Sequence, residues 1–137
     1  MLQQFNHLEL PLLEIHYPTL ECTVSGNGEH SSSIMITALI DTGFDGFLSI
    51  PKSLAQELNI NNNLKQTEVQ LGNGDQITVD VGQCNLQFAF AKQIFVIDVI
   101  IDEDDECLIG MGMIVEIANR FELDFEKEII RFSSLKV

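Results

Sequence analysis

Residues Leu39–Pro51 have the sequence LIDTGFDGFLSIP, in which an apolar run ends at a carboxylate, Asp41. The eight residues before Asp41 are SIMITALI, and they predict a strand that is buried on both faces at the centre of a sheet. Thr42 and Gly43 follow at once, and both are common in turns. Because a buried strand leads into this acid, we expect the carboxylate to be partly desolvated, which makes it a candidate acid or base.

One such carboxylate is not sufficient for hydrolysis by acid–base catalysis, which needs two carboxyl groups in different protonation states. The chain offers a single Asp of this kind, Asp41. A symmetric dimer would supply the second by placing Asp41 beside its own copy. Alternatively, Asp41, Thr42 and Gly43 form an ordinary strand-exit turn in a β scaffold that has no catalytic role.

Length and charge narrow the classes of protein. With 137 residues, of which 45% are hydrophobic, the chain has the size of one domain with its own core, and we expect a single domain over residues 1–137. The 21 acidic and 7 basic residues give a net charge of −14. That charge argues against binding to nucleic acid or to an anionic membrane surface.

The N-terminal sequence, the apolar runs and the cysteines indicate where the protein is located and whether its thiols are reduced. The first 17 residues lack a basic region and a long apolar run, so we expect no targeting segment. No apolar run is long enough to span a membrane. Cys22, Cys84 and Cys107 are odd in number and widely spaced, which favours a reducing cytoplasm over a disulfide framework. Cys107 is expected to be a small buried apolar residue.

The remaining pattern predicts a mostly β domain with one or two short helices. Alternating apolar runs flank Gly72-Asn73-Gly74, which predicts a β-hairpin. A short helix is expected to start at Pro51, and a second one is expected after Gly110. Residues ~8–16 and ~20–25 are expected to pair as the first two strands, with Pro18 in the turn between them.

No metal or cofactor is expected. His7, His16 and His30 are far apart in the sequence, and no Cys pairs with them at the spacing of metal ligands. The acidic run Asp102–Glu106 lacks the alternating ligands and the Gly of a calcium loop, so we interpret it as a solvated face. Gly110–Gly112 lacks the third Gly and the following acid of a dinucleotide site.

Three features, in this order, resemble the retropepsin-like aspartic proteases, the family of retroviral proteases and their single-domain cellular and bacterial relatives. They are a hydrophobic strand ending in Asp41-Thr42-Gly43, the Gly-rich hairpin at Gly72-Asn73-Gly74 in the position of the family's flap, and Leu108-Ile109-Gly110 followed by a short helix. The run DTGFDGFLSIP is especially similar to the bacterial members.

The resemblance implies a closed, mostly β acid-protease half-barrel per chain, assembled as a homodimer. It implies an aspartic endopeptidase in which the Asp41 carboxylates of both protomers activate a water for attack on a peptide carbonyl. Thr42 would bond across the dimer axis, and Gly43 would let the backbone approach the carboxylates. The residues Gly72, Asn73 and Gly74 would fold over a polypeptide substrate and exclude water.

Three neighbouring positions refine this comparison. Phe44 replaces the Ala or Ser that usually follows Asp-Thr-Gly in viral members, and it would narrow the site or line a pocket. Asp45 matches an acid with which many retroviral members contact the substrate backbone. Met111 stands where viral members carry an Arg that ties the dimer, so the dimer contacts must differ. The alternative to an enzyme is a non-catalytic dimeric peptide-binding domain with the same cleft.

Overall fold

The structure is a computed structural model that describes residues 7–12, 17–28, 32–60, 64–70 and 72–137. Within these ranges the chain forms ten strands and two short helices. In chain order they are β1 (His7–Pro11), β2 (Thr19–Ser25), β3 (Ser33–Ile40), β4 (Leu48–Pro51), α1 (Lys52–Glu57), β5 (Lys65–Gln70), β6 (Gln76–Phe88), β7 (Phe95–Asp102), β8 (Leu108–Ile109), α2 (Met111–Ile117), β9 (Ala118–Asp124) and β10 (Ile129–Leu135).

The larger sheet has seven strands in the order β2-β3-β8-β4-β7-β6-β5. It closes on itself because β6 also pairs with β2. With 13 residues, β6 is long enough to pair with β5 through its first half and with β2 through its last residues. The mostly β, closed half-barrel that the sequence predicts is therefore confirmed.

The core fills the space inside this closed sheet. Alternate residues of the strands point inward, as the twofold period of a β-strand requires. On β2 and β6 the inward residues have side chains that are at most 1% exposed, and they are Leu20, Cys22, Val24, Cys84, Leu86 and Phe88. Burial of each large apolar side chain contributes about 1.5–3 kcal/mol to the stability of the folded chain.

The smaller sheet joins the two ends of the chain in the order β1-β10-β9. The expected pairing of the first two strands is wrong, because β1 pairs with β10 instead. Leu8 and Leu10 lie opposite Phe132 and Ile130, which are fully buried, so the alternating apolar residues of β1 find their partners at the far end of the sequence. Residues 13–16 of the expected first strand lie outside the described ranges.

A charged triad spans the outer face of this small sheet. Arg131 of β10 stands between Glu9 of β1 and Glu122 of β9 in the strand register. Its guanidinium forms ion pairs with both carboxylates, and the Nε–Oε1 distance to Glu9 is 3.1 Å. The hydrogen bond to Glu9 is the main cause that raises the pKa of Arg131. Pairs of opposite charge on neighbouring strands stabilise the sheet, so Arg131 links the three strands.

Strand β3 differs from the expectation of burial on both faces. Ala38 and Ile40 near its end are buried, but Met35 is 73% exposed. The residues of β3 alternate between a face that packs on the core and an outer face, and Met35 lies on the outer face. In addition, β8 has only two residues, which pair with Leu39 and Ile40. The earlier residues of β3 therefore have a neighbour on one edge only, and the strand is central only where it approaches Asp41.

Both predicted helices are present. Pro51 caps α1 rather than starting it, and Ala55 and Leu58 pack against the core. Helix α2 buries Met113, Ile114 and Ile117. Over the ranges that the structure describes, no helix has the length and apolar character needed to cross a membrane.

Candidate active site

Asp41 lies directly after β3, in a tight turn. Its N–H donates to the carbonyl of Ile109 (2.9 Å), so the parallel ladder with β8 extends through Asp41. Its own carbonyl accepts from the N–H of Phe44 (3.2 Å), which closes a β-turn over residues 41–44. The carboxylate oxygen Oδ1 accepts from the N–H of Gly43 (2.9 Å). The half-buried side chain is thus oriented by its own turn.

The other two residues of the Asp-Thr-Gly motif face the surface of the isolated chain. Thr42 and Gly43 are both exposed. Among the described residues, the Thr42 hydroxyl has no hydrogen-bond partner, and no second carboxylate bonds to Asp41. A single chain therefore presents one oriented carboxylate and one unengaged hydroxyl, next to each other.

A second loop, residues 109–112, holds the Asp41 loop from the other side. Three consecutive N–H groups at the start of α2 donate to carbonyls of residues 44–47. The bonds run from Gly110 to Phe47 (3.1 Å), from Met111 to Phe44 (2.7 Å), and from Gly112 to Asp45 and Gly46 (both 3.1 Å). These are backbone bonds, so they do not depend on the side chain at position 111.

Gly110 and Gly112 are required because the two loops cross very closely. A Cβ at Gly110 would lie 2.2 Å from the carbonyl oxygen of Gly46, and a Cβ at Gly112 would lie 2.6 Å from that of Asp45. No side chain fits at either distance. The Leu-Ile-Gly motif thus has a physical basis: only a glycine leaves room for the loop that carries Asp41. This close approach could not be predicted from the sequence.

The ring of Phe44 packs over this crossing. A Cβ at Gly46 would lie 2.6 Å from Cε1 and Cζ of Phe44, and a Cβ at Gly110 would lie 2.7 Å from its Cδ2. The ring therefore covers both glycines and stiffens the loop. Asp45 is exposed, and its side chain has no hydrogen-bond partner within the described ranges. Contact of Phe44 or Asp45 with a substrate stays a prediction.

The hairpin β5–β6 is confirmed, with Gly72-Asn73-Gly74 at its exposed tip. Gly74 has φ +91°, which favours glycine. Asn73 accepts the N–H of Asp75 through Oδ1 (2.9 Å) and donates to Oδ2 of Asp75 through Nδ2 (3.1 Å). The Asn73 side chain thus shapes the tip, and its predicted contact with a substrate would compete with these bonds.

The thiols are unsuited to nucleophilic catalysis. All three cysteines are free. Burial raises the pKa of Cys22 and of Cys84 to about 12, and it also raises the pKa of Cys107. The thiols are therefore protonated near neutral pH, whereas the thiolate is the nucleophilic form. In the part of the chain that is described, no three His, Cys, Asp or Glu residues are grouped for metal binding.

Comparisons with known proteins show which solved structures this chain resembles. No family model matches the sequence, and no curated protein matches it. Among solved structures, the chain is similar to a retropepsin-like aspartic protease from Rickettsia conorii, with 16% identity, a TM-score of 0.65, and coverage of 92% of this chain and 89% of that one. It is also similar to EIAV protease complexed with an inhibitor, with 14% identity, a TM-score of 0.56, and coverage of 75% and 88%.

A third similar structure is the retroviral protease-like domain of Ddi1 from Leishmania major, with 14% identity and a TM-score of 0.50, covering 82% of this chain and 85% of that one. Each of these three similarities covers at least three quarters of the chain. The resemblance inferred from the sequence is confirmed, and the chain has the fold of the retropepsin-like aspartic proteases.

Proposed function

We propose that the protein is a homodimeric aspartic endopeptidase, folded as one domain over residues 1–137 and located in the cytoplasm. The observation that carries the proposal is the Asp41 turn, in which a half-buried carboxylate is oriented by the Gly43 N–H at the surface of this fold. The cytoplasmic location is supported by three free cysteines.

The chemistry needs two Asp41 carboxylates with one proton between them. The ionised carboxylate takes a proton from a water, and the resulting hydroxide attacks the peptide carbonyl. The protonated carboxyl donates its proton to the carbonyl oxygen, which gives a tetrahedral intermediate. The carboxyl that took the water's proton then transfers it to the amide nitrogen, and the other carboxylate takes a proton from a hydroxyl of the intermediate. The C–N bond breaks as the carbonyl re-forms, and the pair again holds one proton. Like-charged carboxylates in such a pair titrate together, so the proton belongs to the pair.

Other residues of the chain have supporting roles in this proposal. Thr42 bonds to the partner's loop across the dimer axis, for which its unengaged hydroxyl is suited. Gly43 keeps the space beside Asp41 open, since a Cβ there would already lie 3.4 Å from Oδ1. Phe44 and Asp45 border the bound peptide, and Gly72-Asn73-Gly74 closes over it.

A subunit-mixing experiment tests the shared site. Wild-type protein is mixed with increasing amounts of Asp41→Asn, and cleavage of a random peptide library is followed by mass spectrometry. If each site needs one Asp41 from each protomer, an equal mixture at constant total protein keeps about a quarter of the activity, because only wild-type pairs cleave. A site contained in one chain would keep about half. Mixing with Asp104→Asn, an exposed acid in another loop, is the matched control.

The same measurements separate the alternatives. A non-catalytic peptide-binding domain would bind library peptides without cleaving them, and Asp41→Asn would leave that binding intact. A β scaffold would neither bind nor cleave. Monomers at micromolar concentration in light scattering, combined with full activity, would contradict the dimeric mechanism.

A substitution at the tip of the flap, residues 72–74, should strongly lower the rate of cleavage and only slightly lower the melting temperature. Gly74→Val should slow cleavage by about tenfold or more, because the tip must move during turnover and φ +91° is strained for Val. Its melting temperature should fall by only a few degrees, since a Cβ at Gly74 has no atom within 4 Å. Gly28→Val is the control, because Gly28 has equally open space and no positive φ. Unchanged turnover in Gly74→Val would rule out the flap role.

Activity should peak at acidic pH and decline as the shared proton is lost. A charge of −14 per chain gives about −28 for two chains (2 × −14), and this negative field helps the pair to retain its proton. Salt screens the field, so raising NaCl from about 0.05 M to about 1 M should move the alkaline limb of the rate profile to lower pH. A rate that rises steadily to about pH 9 would contradict the mechanism.

A further inference from the structure

An open groove of about 570 Å³ lies beside β3 and the loop that precedes β8. Its volume is in the ordinary range for ligand pockets, about 300–1,000 Å³. The lining combines apolar or neutral side chains with two acids, and the residues that matter here are Tyr17, Thr37, Leu39, Asp105, Glu106 and Cys107.

The ladder between β3 and β8 places this groove next to Asp41. Leu39 donates its N–H to the carbonyl of Cys107, and Asp41 donates its N–H to the carbonyl of Ile109. Residues two apart in a strand point to the same face, so Leu39 and Asp41 share one face and lie about 7 Å apart along the strand. The groove therefore begins within about two residues of the carboxylate along the chain.

The walls of the groove suit a long side chain with an apolar stem. Leu39 and Cys107 are half-buried, and burial keeps Cys107 as an uncharged thiol by raising its pKa. Tyr17 is 57% exposed, so one face of its ring is available for contact. An aromatic ring attracts a guanidinium or ammonium group as well as an alkyl chain.

The rim of the groove is negative. Asp105 and Glu106 are exposed, and neither forms an ion pair within the described ranges. Glu21 adds a third acid nearby, because it lies opposite Thr37 in the β2–β3 register. Among the described residues that line the groove there is no Lys or Arg. With a net charge of −14 for the chain, the whole surface attracts cationic peptides.

We propose that this groove is a specificity pocket for a Lys or Arg side chain of the peptide substrate, within about two residues of the scissile bond. The aliphatic stem packs along Leu39 and Tyr17, and the charged head reaches Asp105 and Glu106. This inference rests on the proposed endopeptidase function and names its substrate class. The second half of the acidic run 102–106 thus has a role beyond a solvated face.

The test compares matched peptides that carry one central Arg or its uncharged isostere citrulline. Because each exposed ion pair contributes little, we expect a preference in kcat/KM for Arg of about fivefold to tenfold at low salt. The double variant D105N/E106Q should reduce this preference to within about twofold. The control E103Q/D104N removes the same charge from the same loop and should keep the preference, because neither residue lines the groove.

Binding to Asp41→Asn separates this inference from the catalytic one. If no peptide is cleaved by the wild type, titration calorimetry on Asp41→Asn still measures whether the Arg peptide binds more tightly than the citrulline peptide. Tighter binding that disappears in D41N/D105N/E106Q would support the pocket even if the protein is not an enzyme. Equal kcat/KM or equal affinity for the two peptides, or a preference that survives D105N/E106Q, would overturn the pocket.

Discussion

Asp41→Asn should abolish peptide cleavage, by a factor of at least about a thousand, while the protein keeps its fold. Asn is nearly isosteric with Asp and can accept the Gly43 N–H through Oδ1, so the turn over residues 41–44 survives. It cannot take a proton from water. The measurement is a peptide-cleavage assay on both proteins, with circular dichroism to verify the fold.

The same substitution should leave the dimer at least as stable as the wild type near neutral pH. Two carboxylates that face each other repel, and they are costly to desolvate, so their loss should stabilise by up to about 1 kcal/mol. At acidic pH the pair carries more protons and the difference should shrink. Thermal unfolding between about pH 4 and pH 8 measures this trend. Residual cleavage within about tenfold of the wild type would show that Asp41 is not the catalytic acid.

Gly110→Ala should have the largest effect on stability. Its Cβ would lie 2.2 Å from the Gly46 carbonyl oxygen and 2.7 Å from the Phe44 carbonyl oxygen, and neither backbone atom can move without breaking the crossing. We expect a loss of about 3 kcal/mol or more, because the strain exceeds ordinary overpacking of a core. The melting temperature should fall by about 10 °C or more.

The control for this experiment is Gly28→Ala. A Cβ at Gly28 meets nothing within 4 Å, and the residue has no positive φ. Ala there should change stability by less than about 1 kcal/mol, in the stabilising direction, by restricting the unfolded chain. Comparable unfolding temperatures for Gly110→Ala and the wild type would mean that the two loops do not cross as described.

Several elements of this fold could be predicted from short sequence patterns, because neighbouring residues alone determine those elements. The Asn-Gly turn at residues 72–74 and the apolar spacing after Gly110 each specify an element within one short window. The position of Asp41 at a strand end was likewise predicted from the run SIMITALI. Its half-burial agrees with a position at the end of a buried strand, and its bond to Gly43 is the one expected of an Asp at a strand exit.

The pairing of strands that are distant in sequence could not be predicted from short patterns. The alternation of Leu8 and Leu10 predicts a strand, but Phe132 and Ile130 as their partners depend on the whole chain. The open edge of β3 depends on β8 having two residues. The need for glycine at positions 110 and 112 arises from carbonyls of residues 45 and 46, which are distant in sequence.

The pairing of β1 with β10 has a consequence for the order of folding. Loop-closure entropy must be overcome before contacts between the first and last strands can stabilise the chain, so this step is expected to come late. During synthesis, β1 has no strand partner in the small sheet until β10 has left the ribosome. We therefore expect the small sheet to form last and to complete the fold.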